Sequence, residues 1–141
     1  MTTETYKELR NRQQEETNQF PLGFAFSNSQ FKEMMEKWGL KETDTDKIYS
    51  IGMGGFVRKS DHKAFRELLD RHGRELKQAI EADETGEGFI YQMFLYELNN
   101  HEYGYTGDIS DTLESLGYTE EMVKADKRLV HGLLKAMKDA E

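Results

Sequence analysis

The chain of 141 residues, enough for one compact domain with a core of its own, carries 27 acidic against 19 basic side chains, a net charge of −8 with a pI near 5.1. That balance excludes a generic binder of nucleic acid or of anionic membrane, since both select a positive surface. Cysteine is absent, which excludes disulfides and thiolate metal sites, and the longest uncharged apolar run, GFIYQMFLY, is far below the roughly 20 residues a membrane-spanning helix needs.

The opening segment, MTTETYKELRNRQQEE, has no apolar signal core, so the expectation is a soluble cytoplasmic protein. Residues 4–18 favour a helix but are nearly all polar, with Tyr6, Leu9 and Phe20 as the anchors. Residues 1–20 therefore read as a polar N-terminal helix or arm, and residues 21–141 as one compact domain. LGFAFS (22–27) alternates Leu22, Phe24 and Phe26 with small residues, the period of a strand that collects its aromatics on one face. Ser27 with Gln30 three residues on forms a capping-box signature, and the helix over 28–38 turns Phe31, Met34, Met35 and Trp38 inward before Gly39 stops it.

KIYSIGMGGFVRK (47–59) predicts a β-hairpin whose Gly52, Gly54 and Gly55 supply the positive φ of the turn. Ser60 caps a long helix reaching about Asp83, with Phe65, Leu68, Leu69, His72, Leu76, Ala79 and Ile80 in one stripe. Gly73 inside that stripe costs about 1 kcal/mol relative to Ala. ETGEG (84–88) breaks the chain, and residues 89–100 are apolar nearly all round, the pattern of a helix covered on most sides. A loop through NHEYGYTG leads to a short helix near 109–116 ended by Gly117. Thr119 caps the last helix, with Tyr118 and Val123 placed for a hydrophobic staple and Met122, Val123, Leu129, Val130, Leu133, Leu134 and Met137 as its inner stripe. The fold class is α+β: a mostly helical single domain with a small antiparallel sheet made of a hairpin plus one strand.

Few residue patterns carry chemistry. Glu97, His101, Glu102, Tyr105 and Asp108 lie within one loop's reach and define a possible ligand-binding or enzymatic site. The competing reading is structural, with His101 tying a helix end to the loop where the negative end of the helix dipole favours it. His101–Glu102 lacks the second histidine at i+4 that a zinc peptidase motif needs, because position 105 is Tyr. The four histidines (62, 72, 101, 131) have no metal-ligand spacing, so no metal and no cofactor are expected. GMGG (52–55) precedes a strand and lacks the third glycine of a dinucleotide loop, so it reads as a hairpin turn. Arg58 and Lys59 stand at a helix N-terminus that suits phosphate, or are two solvated charges. His72 on its apolar stripe reads as a hydrogen-bonded core residue, and Ser60 has no evident base that would make it a nucleophile.

The charge is unevenly spread. From Glu81 to Asp126 there are twelve acids and one base, Lys124, whereas from Arg58 to Gln78 seven bases outnumber four acids. An acidic stretch of this kind is either a plain solvated face or a one-sign field that steers a basic protein partner. The residues assigned to that partner are Asp108, Asp111, Glu114, Glu120 and Glu121, clustered at two short helix starts.

Four phrases, FAFSNSQFKE, KIYSIGMGGFVRKSD, FLYELNNHEYGYTGD and TLESLGYT, resemble a family of small acidic proteins of bacteria, phages and integrated mobile elements. The likeness covers most of residues 22–131 and brings no active site with it. The chain is also similar to proteins counted among inhibitors of type II-A CRISPR nucleases. That resemblance implies a non-enzymatic protein that binds a nuclease such as Cas9 on its basic nucleic-acid-binding surface and blocks DNA recognition or cleavage. Direct contact with nucleic acid or membrane is not expected.

Overall fold

The computed structural model describes residues 4–141. In chain order the elements are α1 (Tyr6–Gln19), β1 (Gly23–Phe24), α2 (Asn28–Lys37), a 3-10 turn (Thr45–Lys47), β2 (Ile48–Gly52), β3 (Gly55–Arg58), α3 (Lys59–Ala82), α4 (Phe89–Asn100), α5 (Tyr103–Thr106), α6 (Ser110–Leu116), α7 (Glu120–Lys124) and α8 (Lys127–Asp139). The fold is a mostly helical α+β arrangement with one three-stranded antiparallel sheet of order β1-β3-β2. The residues cluster into two compact units, Gln13–Gly73 on the one hand and, on the other, those up to Arg12 together with Arg74–Glu141.

In the unit Gln13–Gly73, Met34, Met35 and Ile48 form the buried core, with Ala25, Phe31, Trp38, Leu40 and Phe56 packed on it. α2 begins as the sequence predicts: Ser27 accepts the Gln30 N–H, while the Gln30 side chain reaches one residue further back, to the Phe26 N–H. It ends in a Schellman motif in which Gly39 has φ +70 and the Leu40 N–H donates to the Met35 carbonyl. The predicted strand at 22–27 pairs over Gly23–Phe24 alone, and its aromatic face is the exposed one. The reason is steric: a Cβ on Gly23 would meet Met34 Sδ at 2.5 Å, so the small residues take the side against α2 and Phe24 and Phe26 face outward. The hairpin turn has the expected positive φ at Gly52 (φ 85) and Gly54 but not at Gly55. Its two central residues are Met53 (φ 54) and Gly54 (φ 74), while Gly55 pairs in β3. His72 is buried, as expected of a core histidine, and its Nε2 lies 3.2 Å from Glu16, whose other oxygen takes Arg71 at 2.6 Å.

The second unit is organised by α4. Ile90, Met93, Phe94 and Leu98 are fully enclosed, and Tyr6, Leu9, Leu113, Val123, Leu129, Leu133 and Ala136 join them in one core. α8 packs closely on α4 because Gly132 faces it: a Cβ there would lie 2.6 Å from the Gly86 carbonyl oxygen and 2.7 Å from Ile90 Cγ2. Gly86, at φ +86, is equally confined, since a side chain would run into the Arg128 carbonyl.

The turn between α3 and α4 is built around one carboxylate. Asp83 Oδ1 accepts the Thr85 and Gly86 N–H groups at 3.3 and 2.9 Å, and Oδ2 accepts those of Gly88 and Ile90 at 3.1 and 3.0 Å. It thereby satisfies donors at the start of α4 that Gly88, with no side chain, leaves open. Arg128 closes the other side, its Nη1 donating to the carbonyls of Ile80, Glu81 and Asp83 while Asp126 pairs with Nη2 at 2.9 Å. Asp126 also caps α8 through the Arg128 N–H. That cap splits the single last helix expected from the sequence into α7 and α8, and each buries a narrower face than expected, Val123 in α7 and Leu129, Leu133 and Ala136 in α8, so Met122 and Leu134, expected inside, are exposed.

Phe94→Ala should lower unfolding free energy by about 3–5 kcal/mol, the usual cost of emptying a fully buried aromatic site, as read by urea denaturation. Asp83 yields a pH-dependent expectation. Burial pushes its carboxyl up, but the backbone N–H groups of Ile90, Gly86, Gly88 and Thr85 outweigh that and hold it below the ordinary carboxylate value. A depressed folded-state pKa gives stabilisation that is complete above the unfolded value near 4 and is lost as pH falls through the folded one. Asp83→Asn should therefore cost about 1–3 kcal/mol at neutral pH, and its denaturation midpoint should converge on the parent's as pH drops below about 4.

Candidate functional site

The residues assigned from the sequence lie between the last turn of α4 and α7. Glu97 is on the covered side of α4 and is only 3% exposed. Its Oε2 accepts the Tyr6 hydroxyl at 2.9 Å and lies 3.6 Å from Arg10 Nη1, while Oε1 has no hydrogen-bond partner among the described residues. Burial, and then the Glu97 charge, raise the Tyr6 phenol above its ordinary pKa. Burial works against the charge on Arg10, but Glu97 and Tyr6 more than offset it, so the guanidinium pKa is raised. Arg10 also sits 5.5 Å from the centre of the Tyr96 ring. Tyr6, Arg10, Tyr96 and Glu97 thus form one polar cluster joining α1 to α4 within this unit.

The remaining loop residues have other attachments. His101 Nδ1–H donates to the Glu97 carbonyl at 2.8 Å, and the same oxygen accepts the His101 backbone N–H and the Thr112 hydroxyl at 3.0 and 3.3 Å. His101 therefore ties the end of α4 to itself while Thr112 fastens α6 to it. Glu102 is exposed in the left-handed region at φ 58, where its carbonyl accepts the Tyr105 and Thr106 N–H groups and starts α5. Tyr105 is 92% exposed. Asp108 Oδ1 accepts the Ser110 N–H at 2.8 Å ahead of α6, and that bond holds its carboxyl below the ordinary value. The carboxylates of Glu97 and Asp108 thus serve different partners, α1 and the start of α6.

Asp111 and Glu114 of α6 and Glu120 and Glu121 of α7 are exposed. Glu120 stands 3.9 Å from Lys124, whereas Asp111, Glu114 and Glu121 take part in no ion pair among the described residues. The helices that carry them are held from beneath: Leu113 and Val123 are buried, Thr119 caps α7 through the Met122 N–H, and Gly117 closes α6 at φ +76. The acids are thus projected from anchored short helices. Charge is also divided unequally. Of the 27 acidic and 19 basic side chains, 17 and 10 belong to the unit of residues up to Arg12 with Arg74–Glu141, so that unit carries −7 and Gln13–Gly73 carries −1.

Sequence reasoning missed Arg10 and Tyr96 beside Glu97, and Asp83 with Arg128 as the lock of the α3–α4 turn. The isolated Tyr6 in a polar segment is the one local signal for the first cluster. The D-x-x-G-x-G spacing from Asp83 is a signal for the second, since close glycine N–H groups gather readily on one carboxylate. Among the described residues no helix is long and apolar enough to cross a membrane.

Fold and surface together define a small, mostly helical α+β protein whose charge is concentrated in one of its two units. The chain belongs to the Family of unknown function (DUF7659), which it matches over residues 5–139. No curated protein and no solved structure matches it.

Tyr6→Phe should destabilise the protein by about 1–3 kcal/mol, because it leaves a buried carboxylate oxygen without its donor. Coupled to Glu97→Gln in a double-mutant cycle, the two losses should sum to clearly more than the double variant's. Additive losses would show that the Tyr6–Glu97 bond does not hold α1 to α4.

Proposed function

We propose that the protein is a non-enzymatic, stoichiometric inhibitor of a nucleic-acid-handling enzyme, and that the acidic surface of α6 and α7 occupies the basic surface by which that enzyme holds nucleic acid. The observation that carries this reading is the exposure of Asp111, Glu114 and Glu121 without an ion pair among the described residues. Acids elsewhere in the same unit, such as Asp83 and Asp126, are bound into turns and caps. Carboxylates left uncommitted on anchored helices provide a field that attracts Lys and Arg, and phosphate-binding channels are lined with those residues. The target that the sequence resemblance implies is a type II-A CRISPR nuclease such as Cas9, and the proposal includes the cytoplasm of a bacterial host as the place of action and a phage or mobile element as the source.

A second reading, a small-ligand or enzymatic loop at Glu97, His101, Glu102, Tyr105 and Asp108, draws on one observation: the buried Glu97 Oε1 without a partner among the described residues. On that reading Glu97→Gln abolishes ligand binding. On the inhibitor reading it leaves association with the nuclease unchanged in any variant that stays folded.

Purified protein should block DNA cleavage by a guide-loaded type II-A nuclease at near-equimolar ratio. Single Ala changes at the acids should be nearly silent, since an exposed charge pair is worth about 0.2–1 kcal/mol. Reversing Asp111, Glu114, Glu120 and Glu121 together to Lys, and keeping Asp108, which holds the turn ahead of α6, should slow association about tenfold or more at low salt and flatten its salt dependence. A melting curve controls for folding. A folded four-fold variant that associates and inhibits like the parent would remove the acidic surface from the mechanism.

A further inference from the structure

α6, α7 and α8 enclose a cleft of about 230 Å³ lined by Ile109 and Leu113, by Glu120, Val123 and Lys124, and by Val130, Leu133 and Leu134. We propose that this cleft is a docking groove for an amphipathic helix of a protein partner, one that sets apolar anchors in the groove and Lys or Arg beside them.

α8 has more apolar surface than its own packing uses. Leu129, Gly132, Leu133 and Ala136 form the buried stripe in the core shared with α4. Val130, half-buried against that core, and Leu134, four residues on, continue the apolar surface to one side, and Leu134 is 59% exposed. A leucine exposed at the lip of an apolar cleft, with Met122 of the neighbouring helix also 48% exposed, marks a surface built for contact. The cleft volume lies below the roughly 300–1,000 Å³ of small-molecule sites, so it suits a few side chains presented along a helix.

Charge selects among helices. Glu120 lines the groove and holds Lys124 at 3.9 Å, and Lys124 is the one base between Glu81 and Asp126. Asp111 and Glu114 stand on the helix whose Leu113 lines the cleft, and Glu121 adjoins Glu120. Of the four bases of α8, Lys127 and Lys138 stand at its ends, Arg128 is held by Asp126 and the carbonyls at the end of α3, and Lys135 lies over the Tyr91 ring, 4.3 Å from its centre. An incoming helix with acidic flanks would face the carboxylates of α6 and α7, whereas one with basic flanks is drawn to them. The proposal rests on the inhibitor reading for its partner class. It adds the apolar anchor that exposed charge pairs alone do not supply, since they act mainly on encounter rate.

The test is fluorescence anisotropy of the full chain with a labelled peptide carrying Leu at i, i+3, i+4 and i+7 and Lys elsewhere, against the same peptide with Glu for Lys. The Lys peptide should bind and the Glu peptide should not. Leu134→Ser, which keeps the charge and alters an exposed position, should retain the parent's melting temperature yet weaken binding about tenfold, the scale of one leucine side chain left in water. Glu84→Lys, in the α3–α4 turn, should stay within about twofold, because it lies outside the groove. No binding of the Lys peptide, equal binding of both peptides, or an unchanged affinity in Leu134→Ser would overturn the proposal. So would a concentration-dependent dimer abolished by Leu134→Ser, which would assign the groove to a second copy of this chain. Peptide binding at the groove without nuclease inhibition would leave the groove standing and end the inhibitor reading. Inhibition untouched by Leu134→Ser would do the reverse.

Discussion

Four backbone N–H groups converge on the carboxylate of Asp83, and the second unit depends on that convergence. α4 is the most deeply enclosed helix of its unit, yet its N-terminus is preceded by glycine and has no side-chain cap of its own. Without an acceptor, the partly buried N–H groups of Gly86, Gly88 and Ile90 would lose their partner, at up to about 1–3 kcal/mol each. Asp83 supplies the acceptor, and Arg128 simultaneously satisfies the carbonyls at the end of α3. The end of α3 and the starts of α4 and α8 are thus fixed by three side chains, Arg128, Asp83 and Asp126. The glycines at 86 and 132 are then required, because the turn and α8 approach too closely for a Cβ on either.

The same economy is visible at Glu97. Its carboxylate binds the Tyr6 hydroxyl, and its carbonyl gathers His101 and Thr112, so one residue joins α1, the end of α4 and α6. A buried charge with an unmatched oxygen among the described residues is an expensive way to stabilise a fold. It gives α1 a polar partner beside the apolar contacts that Tyr6 and Leu9 make in the same core.

These anchorages bear on function. Many polar groups at element ends are absorbed by caps and turns, while Asp111, Glu114 and Glu121 stay outside any ion pair among the described residues, on helices whose inner faces are fixed. Exposed carboxylates on a rigid support keep their spacing, and a charge pattern presented without reorganisation steers a partner more effectively than one on a mobile loop. On the proposed reading, the apolar cleft beside them would supply what charge alone lacks, a surface whose burial holds a complex once it has formed.

The sequence alone determined the element types and much of the core. Apolar residues all round 89–100 announced the enclosed helix, the 3–4 stripe of Phe65 to Ile80 announced α3, and Ser27, Gly39 and Gly117 marked the ends they occupy. These features are legible because periodicity and capping are local. The acidic bias of 81–126 was equally plain, since charge is additive along a chain. What tertiary structure decided are the choices between equivalent local options. Alternation at 22–27 shows two faces but not which one is buried, and the fit of Gly23 against Met34 settled that. Asp126 is a helix cap whose side chain also pairs with Arg128, and α8 turns Leu129, Leu133 and Ala136 into the core, which leaves Leu134 at the lip of a cleft. The division at Arg12 and Gly73 falls inside α1 and α3, with no linker composition to betray it. Partners separated by 45 or 91 residues, as Arg128 is from Asp83 and Tyr6 from Glu97, leave no local trace, because their pairing is set by how the helices pack.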